Sequence, residues 1–550
     1  MSTQLPLRRL LAAAVLFVAL AALLTPLRRE LYVGDETKYS QVVREMRAGS
    51  VFVPTLNGTP FTHKPPVHFW IVDALTYPLG VYSIWPFVLP SLLAFWGLLW
   101  MMSRQLAVGG GRENDGIHGT DGTDGTDGAA VLPTNNQKPK TKNASLPFLT
   151  AFICGSTLML WASAQTARMD LSFTLLIAIA AFRIRAFFDR DDFRALLIAA
   201  ITLGVALLIK GPMSLVIGVA LFAFEWLRRR RRPRGNYLPA IAAMLVIPLL
   251  WLVPTILFAG EAYWNEVFYK QTVGRAVGAW VHKSPPWFYL THAPGDVAPW
   301  FFLLVVAIIA AYKRKDETAK FGVSWLLAVV VPYSILSSKL DVYMMALLPA
   351  VAIVVACFVA GPEDRWTKWG LNANRVTLGI LLLIGIAGFV ALRPELLKED
   401  AATVPMPLAK GLFAVMAIAA LAGLILGRRL VTSTIAVGLV PIVTFVYLAL
   451  TLVPTANEMA STRPLVRAIQ NQHVLPEQVA LHVAPHLWVR DMPRDLERVR
   501  HIDPPDLATW QPAVIVTRRK DAQALGAALA PYRKVDEFRM IGKWFDVYRR

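Results

Sequence analysis

Hydrophobic and polar positions along this chain are arranged in long blocks. Uncharged apolar runs of roughly 20 residues, the length that crosses a bilayer as a helix, recur from near the N-terminus to position 454. Only helices and closed barrels satisfy their backbone hydrogen bonds inside a bilayer, and these runs have helical length. The pattern therefore predicts an all-α polytopic membrane protein with about 13 transmembrane helices.

The polar segments between the runs give approximate bounds for each span. We predict spans at 9–27, 86–103, 148–166 and 171–188, a pair around 210–212, a span at 238–258, a pair around 313–320, and four runs leading to Arg365, Leu392, Arg428 and Pro454. The first run, which follows Arg8 and Arg9, is expected to be an uncleaved span and not a signal peptide.

Basic residues set the predicted orientation. The five arginines Arg228–Arg232 lie directly after one apolar run, where the positive-inside rule predicts a cytoplasmic loop. An odd number of spans then places the N-terminus in the cytoplasm and the C-terminus outside. Residues 28–85 and 259–297 become large external loops, and the apolar stretch 67–80 is expected to form a helix at the membrane interface.

Two polar stretches interrupt or follow the membrane pattern. Residues 104–147 contain Gly-Thr-Asp triplets and read as a low-complexity cytoplasmic insert. Residues 455–550 contain short β-type runs at Val479–Val483, Ala513–Thr517 and Trp544–Tyr548, with a helix-like stretch at Asp521–Leu529. We therefore expect a transmembrane domain at 1–454 and a small soluble α/β domain at 455–550, on the external side.

Composition excludes several classes of function. The formal net charge is +19, but the excess Lys and Arg fall mainly beside spans, so the expected partner is a lipid bilayer and no nucleic acid is expected. The chain has two cysteines, Cys154 and Cys357, both inside apolar runs, which excludes a disulfide framework.

Unusual polar residues at span ends collect on the external face. Ionisable groups at membrane depth are candidates for function, and cations at an interface suit a phosphate or diphosphate, while a carboxylate beside them acts as a base or orients an acceptor. These residues are Asp35, Lys64, Asp170, Lys210, Arg275, His282, Lys339 and Tyr343.

The motifs around these residues resemble a known family, the bacterial aminoarabinose transferases that modify lipid A, which share the GT-C fold with the protein O-mannosyltransferases. The resemblance covers the whole chain. It rests on Asp35-Glu36-Thr37-Lys38-Tyr39, His63-Lys64-Pro65-Pro66, Arg168-Met169-Asp170, Lys210-Gly211, Ser338-Lys339-Leu340-Asp341-Val342-Tyr343 and the segment His282–Tyr289.

The resemblance implies an integral-membrane glycosyltransferase in the bacterial inner membrane. Its donor would be undecaprenyl-phosphate-linked 4-amino-4-deoxy-L-arabinose, and its acceptor a lipid A phosphate at the periplasmic face. Asp35 and Asp170 match the catalytic acids. The expected substrate-binding residues are Tyr39, which lines the cavity, and Lys64, Lys210, Arg275, Lys339 and Tyr343.

The chain departs from the family pattern at three positions. It has His63 where the family often has Glu, Lys38 where Arg is frequent, and Thr272 where a histidine is expected. A metal site built from that Glu and His therefore lacks its ligands, and zinc spacing is absent from the sequence. We expect no metal and no cofactor.

The residues leave alternatives open. One is a transferase with a protein hydroxyl or another envelope glycan as the acceptor; another is a transporter for lipid-linked sugar, which inverted repeats and mid-membrane helix breaks would favour. The role of Asp35 depends on the acceptor. A hydroxyl acceptor needs a base, whereas a lipid A phosphate is already ionised and needs only to be oriented.

Overall fold

The computed structural model describes residues 4–49, 51–108, 145–230, 235–267, 283–400 and 403–550. Helices dominate these ranges. In chain order they are α1 (Gln4–Ala21), α2 (Leu24–Arg28), α3 (Asp35–Ala48), α4 (Val67–Leu79), α5 (Trp85–Val108), α6 (Leu146–Ser156), α7 (Leu158–Ala164), α8 (Asp170–Arg190), α9 (Phe193–Lys210), α10 (Met213–Arg229), α11 (Leu238–Asn265), α12 (Phe288–Asp296), α13 (Phe301–Lys313), α14 (Glu317–Ile335), α15 (Leu348–Val359), α16 (Arg365–Ala391), α17 (Pro394–Leu397), α18 (Met406–Leu426), α19 (Leu430–Thr451), α20 (Val453–Ala460) and α21 (Arg463–Gln470).

The predicted polytopic helical architecture is confirmed. Within the described ranges, 10 helices are long and apolar enough to cross a membrane, and two bent pairs raise the number to 12. The remaining predicted span corresponds to α10, which has 17 residues and is slightly shorter than these. Each of the predicted spans therefore has a helix or a bent pair at its position.

Aspartates mark where several spans begin. Asp192, Asp316 and Asp364 each accept hydrogen bonds from backbone N–H groups in the first turn of α9, α14 and α16. Such caps satisfy donors that the helix itself leaves unpaired. The short charged loops between spans thus fix where the next helix starts.

The apolar pattern did not indicate two sharp bends, one inside the predicted span 148–166 and one where the predicted external loop 259–297 meets the next span. The axis bends by 70° between α6 and α7 and by 108° between α12 and α13. The two breaks contact each other: Leu158 N donates to Ala298 O at 3.0 Å, and Trp300 Nε1 donates to Thr157 Oγ1 at 3.1 Å. A backbone N–H group that the first break leaves unpaired thus finds its hydrogen-bond acceptor at the second break.

Burial distinguishes the centre of the bundle from its edge. Every residue of α15 is buried, and this helix follows a 3₁₀ helix at Asp341–Leu347. By contrast, α11 and α18 expose most of their apolar side chains, as lipid-facing helices do. The core of the protein therefore surrounds α15, and the segment that carries Tyr343 leads directly into it.

The first large loop is more ordered than the sequence indicated. The helix expected at 67–80 is present as α4, but α3 was not predicted, nor was the hairpin of β1 (Thr55–Leu56) and β2 (Thr59–Pro60). The predicted insert 104–147 begins inside α5, and its residues 109–144 lie outside the described residues.

A five-stranded sheet forms the C-terminal region. Its strands are β3 (Val479–His482), β4 (Arg500–His501), β5 (Val514–Arg518), β6 (Arg533–Met540) and β7 (Lys543–Arg549), in the order β4-β3-β5-β7-β6. The first three strands run parallel and the last two pair antiparallel. The three predicted strands are confirmed, whereas the helix-like stretch Asp521–Leu529 is 3₁₀ and contains Gly526 at φ 48°.

The sheet region is attached to the first large loop. Val33 N donates to Ala460 O at 2.8 Å, and Trp488 Nε1 donates to Val81 O at 3.2 Å. Trp488 is fully buried in the same apolar core as the membrane helices. These contacts hold the loop that carries α3 between the helical bundle and the sheet.

Candidate active site

Asp35 is the first residue of α3 and remains accessible. Gly34 precedes it with φ 128°, a left-handed backbone that favours glycine, so the chain turns sharply into the helix. The Asp35 carboxylate is 43% exposed and lies 3.4 Å from Lys38 Nζ and 3.8 Å from Arg168 Nη2. Both distances exceed that of a tight charge-assisted hydrogen bond, so the carboxylate is open to a ligand.

Glu36, the next residue, has a different role. Its buried carboxylate pairs with Arg29 and accepts hydrogen bonds from Tyr32 N and Ala167 N, each at 2.7 Å. It therefore joins α3 to the turn that leads to Asp170. The sequence motif placed both acids together, but only the structure separates the accessible acid from the one that holds the frame.

Asp170 and Lys210 form a buried ion pair. Their Oδ1 and Nζ atoms are 2.5 Å apart, and the side chains are 10% and 8% exposed. Asp170 is the first residue of α8 and Lys210 the last of α9, so this antiparallel hairpin brings the two ends together. Each charge also suits its helix end, because the dipole favours an anion at the N-terminus and a cation at the C-terminus.

Aromatic rings surround the Lys210 ammonium. Its Nζ lies 5.1 Å from the centre of the Tyr343 ring and 5.3 Å from that of Phe173. Tyr343 in turn stacks on Tyr333, with ring centres 5.0 Å apart. The rings stabilise the cation from the side that Asp170 does not cover.

Tyr39 and Lys64 extend the cluster towards α4. Burial raises the pKa of Tyr39, and the carboxylates of Asp35 and Asp170 raise it further, so both acids lie near its hydroxyl. Lys64 lies close enough for its charge to act on Asp170 and on His68. Six of the predicted residues thus meet at one end of the bundle: Asp35, Tyr39, Lys64, Asp170, Lys210 and Tyr343.

His68 is a member of this cluster that sequence reasoning missed. It is buried against Tyr39, with ring centres 6.1 Å apart, and burial lowers its pKa to about 4 despite the nearby Asp170 charge. The imidazole is therefore neutral at physiological pH, and its Nδ1 has no hydrogen-bond partner. Its spacing of four residues from Lys64, at the start of α4, was the available signal.

Lys339 lies where two segments cross. Its Nζ donates to Ser284 O at 3.0 Å and to Leu336 O, and the residue is 3% exposed. The adjacent Ser338 pairs with Lys283 in an antiparallel bridge. In this arrangement Lys339 fastens the chain before α12 to the chain before α15.

Other predicted residues fall outside the described part of the chain. Arg275, His282 and Thr272 lie in 268–282, of which no structure is described. Among the described residues, no group of three or more His, Cys, Asp and Glu side chains has the arrangement that holds a metal ion. Arg168 belongs to the Arg168-Met169-Asp170 motif but was not among the predicted site residues. It is a further cation beside Asp35.

The cluster has the chemistry of an anion site with an accessible acid. Arg168, Lys38, Lys64 and Lys210 lie around two carboxylates, one of them already paired. Charge-assisted hydrogen bonds from such cations hold a phosphate, and they stabilise the negative charge that develops when a phosphate leaves. The open Asp35 carboxylate remains accessible to a ligand bound beside these cations.

Curated proteins with similar sequences bear the name that the motifs suggested. An undecaprenyl phosphate-alpha-4-amino-4-deoxy-L-arabinose arabinosyl transferase of Yersinia enterocolitica is 24% identical over 393 residues, which cover 68% of this chain and 63% of that protein. One of Pseudomonas aeruginosa is 25% identical over 389 residues, with 67% and 63% covered. An uncharacterised protein of Aquifex aeolicus is 25% identical over 359 residues, or 64% of each chain.

These similarities have clear bounds. The matched region spans just under two thirds of each of these relatives. No family model matches the chain. The resemblance to the aminoarabinose transferases is confirmed as a similarity of sequence.

A solved structure has the same fold. ArnT from Cupriavidus metallidurans bound to undecaprenyl phosphate superposes with a TM-score of 0.72 at 18% identity, and 98% of both chains is covered. Its apo state gives a TM-score of 0.71 at 19% identity. The predicted fold is therefore confirmed over 98% of the chain, and the chain is an integral membrane protein.

Proposed function

We propose that this protein is a glycosyltransferase that moves 4-amino-4-deoxy-L-arabinose from undecaprenyl phosphate to a phosphate of lipid A. The observation that carries the proposal is the accessible Asp35 carboxylate, held beside Lys38 and Arg168 and close to the Asp170–Lys210 pair. The similarity to named aminoarabinose transferases supports the choice of donor.

The reaction requires stabilisation of a leaving phosphate. The bond between the sugar anomeric carbon and the carrier phosphate oxygen breaks, and an acceptor oxygen forms the new bond to the same carbon. The carrier phosphate keeps the electron pair and gains negative charge. We propose that Lys64, Lys210 and Arg275 neutralise that charge, as donors fixed in advance of the reaction do in other enzymes.

The two carboxylates then have separate roles. A lipid A phosphate is already ionised and needs no base, so we propose that Asp35 orients the sugar and the acceptor. If the acceptor is a hydroxyl, Asp35 removes its proton instead. Asp170 holds Lys210 in position through their 2.5 Å contact, and Tyr39, Lys339 and Tyr343 line or brace the donor cavity.

We further propose that the site faces the periplasm from the bacterial inner membrane. The positive-inside rule assigns Arg228 and Arg229 to the cytoplasm. They end α10, which begins just after Lys210, and Arg229 contacts Asp189 at the end of α8 opposite to Asp170. Residues 1–454 would form the transferase domain and residues 455–550 a periplasmic domain. The partners are the bilayer, the lipid-linked donor and the lipid A acceptor.

The deciding experiment is mass spectrometry of lipid A from cells with and without the gene. We expect a mass increment of one aminoarabinose on lipid A only when the gene is present. An unmodified lipid A, with sugar found on a protein or another glycan, would replace the acceptor. No transferred sugar in any fraction, with lipid-linked sugar retained on one side, would favour a transporter.

Orientation has its own test. In a background without Cys154 and Cys357, Thr120→Cys should react only with reagent on the cytoplasmic side and Arg500→Cys only with reagent in the periplasm. Labelling of both from one side would contradict the odd number of spans and the external sheet region.

A further inference from the structure

A polar cleft lies apart from the Asp35 cluster, between α3 and the sheet. It has a volume of about 280 Å³, near the lower end of ligand pockets. Gln41, Arg44 and Asn57 line it on the loop side, and Glu497, Arg500 and His501 line it on the sheet side. Two separate parts of the chain thus form one site.

The walls of this cleft are fixed by internal hydrogen bonds. Arg44 donates to Leu487 O at 3.0 Å and to Tyr82 Oη at 3.3 Å, and also to Gln41. Tyr82 donates to Glu497. A ligand entering the cleft therefore meets side chains that have already been ordered, which lowers the entropic cost of binding.

The carboxylates of the cleft already have partners. Glu45 accepts hydrogen bonds from Gln41 Nε2 at 2.7 Å, from Asn57 N at 2.7 Å and from Gly58 N at 3.0 Å. These bonds outweigh burial and lower its pKa. Through these hydrogen bonds the Glu45 carboxylate holds the β1–β2 hairpin against α3.

Of the two arginines of the cleft, Arg500 has fewer hydrogen-bond and ion-pair partners. The Arg44 Nε is buried and has no hydrogen-bond partner. Arg500 lies 5.2 Å from the centre of the Trp510 ring, and among the described residues no carboxylate lies within salt-bridge distance of it. Arg500 thus has N–H donors available to an incoming anion, while Arg44 adds positive charge to the opposite wall of the cleft.

Two histidine rings lie next to each other at the cleft, and one of them, His501, lines it. The rings of His486 and His501 are 4.5 Å apart. Burial, with a smaller contribution from the Arg44 charge, lowers the pKa of His486 to about 3 and that of His501 to about 4. Both imidazoles are neutral at pH 7, and His501, which lines the cleft, offers a hydrogen bond to a hydroxyl group without adding charge.

We propose that this cleft binds an anionic saccharide, the headgroup of the acceptor, through Arg44 and Arg500. Amide, imidazole and guanidinium groups together match the hydroxyls and the negative charge of a phosphorylated sugar. The assignment of that sugar to the acceptor rests on the proposed function.

The position of the cleft suits this role. Gln41 and Glu45, which line the cleft, lie three and seven residues after Lys38 and so share its face of α3. Lys38 lies 3.4 Å from Asp35, so a headgroup held in the cleft lies on the side of α3 that leads to the Asp35 cluster. The sheet region thereby contributes to acceptor choice although it holds none of the residues of that cluster.

The test is calorimetric titration of the full chain in detergent with a deacylated glucosamine disaccharide that carries phosphates. We expect binding by the wild type, weakened about tenfold by Arg500→Ala and at least as much by Arg500→Glu, as for loss of a charge-assisted contact. Arg498→Ala is the matched control, because Arg498 pairs with Glu477 outside the cleft, and it should bind as the wild type does.

Two further arms separate this proposal from the proposed function. Lys210→Ala should retain disaccharide binding while losing transfer, so a failed transfer assay with intact binding would leave the cleft in place. Unphosphorylated disaccharide should bind weakly, and so should inorganic phosphate. Equal binding by wild type and both Arg500 variants, or no binding by the wild type, would overturn the proposal.

Discussion

The two ends of α8 both carry charge, but they use it differently. At one end, Asp170 pairs with Lys210 while Asp35, nearby, stays half open between Lys38 and Arg168. At the other end, Arg229 binds Asp189 at 2.6 Å and the buried Glu225 at 2.9 Å.

The closed network at the second end extends further. Glu225 also accepts two hydrogen bonds from Arg228, at 2.8 and 2.9 Å, and Arg228 reaches Glu317. Each of these paired charges has a partner at hydrogen-bonding distance, which stabilises the helix packing. The open end retains a carboxylate and cations with loose contacts, which is the arrangement that a ligand completes. The two ends thus differ in the presence of an accessible, loosely paired carboxylate, Asp35, at one of them.

Loss of the open carboxylate should have the largest effect. We expect Asp35→Asn to reduce transfer by roughly 100-fold or more, as for loss of a positioned catalytic group, without a change in thermal stability. The measurements are the aminoarabinose content of lipid A and the melting temperature in detergent. Asp491→Asn, an exposed change in the sheet region, is the control; wild-type transfer by Asp35→Asn would contradict its role.

Loss of the closed carboxylate should affect stability instead. Glu225→Ala leaves Arg228 and Arg229 without their buried partner and should destabilise the fold by about 3 kcal/mol, while the folded fraction keeps its transfer rate. Glu317→Ala, which removes an acid that is 66% exposed, should cost less than about 1 kcal/mol. Normal melting of Glu225→Ala would remove the distinction between the two ends.

The cations at the open end should give intermediate effects. We expect Lys64→Ala, Lys210→Ala and Arg275→Ala each to weaken carrier-phosphate binding by about 1–3 kcal/mol, measured by titration with a short-chain polyprenyl phosphate. Arg275→Lys should restore binding only in part, because the planar fork is lost. Unchanged affinity in all three variants would refute phosphate binding by this end.

The Asp170–Lys210 pair makes the test at Lys210 more specific. Lys210→Ala alone leaves a buried carboxylate unpaired, so the double variant Asp170→Asn with Lys210→Met is needed beside it. If Lys210 binds phosphate, the double variant should be stable but weak in binding. Recovery of affinity in the double variant would assign Lys210 to the neutralisation of Asp170 alone.

The smallest expected effect is that of metal removal. The cations already supply the positive charge that a leaving phosphate needs, so exhaustive chelation of the purified protein should leave transfer unchanged. The measurement is the transfer rate before and after chelation, with each divalent ion then added back. Activity that is lost and restored by one particular ion would show that the charge balance is incomplete without it.

The sequence predicted the spans well because hydrophobic length is a local property. It also placed Asp35, Lys64, Asp170, Lys210 and Tyr343 at one face, because loop charge and span parity together assign each helix end to a side. The breaks at Thr157 and between α12 and α13 were missed. Gly155 and Pro294 lie near them, but Gly and Pro also occur inside membrane helices, and the contact that stabilises the bends joins segments distant in sequence.

Other misses have a tertiary origin. Helix α3 is too polar to stand out in a hydrophobicity pattern, and its buried face packs on neighbours that are distant in sequence. The strand β6 has an exposed pattern and is defined by its pairing with β7. The separate roles of Asp35 and Glu36 required knowledge of which side chain faces Arg29 and Ala167.

The contact between the two helix breaks has a consequence for how the protein is made. The amide of Leu158 finds its acceptor at Ala298, so the ribosome must complete α8 to α12 before that acceptor exists. Until then the Leu158 amide lacks this acceptor, and the bent form would leave a backbone donor unpaired inside the membrane domain, which is costly. Insertion of the third span is therefore completed by the eighth, and chains truncated between them should be held by the insertion machinery or degraded.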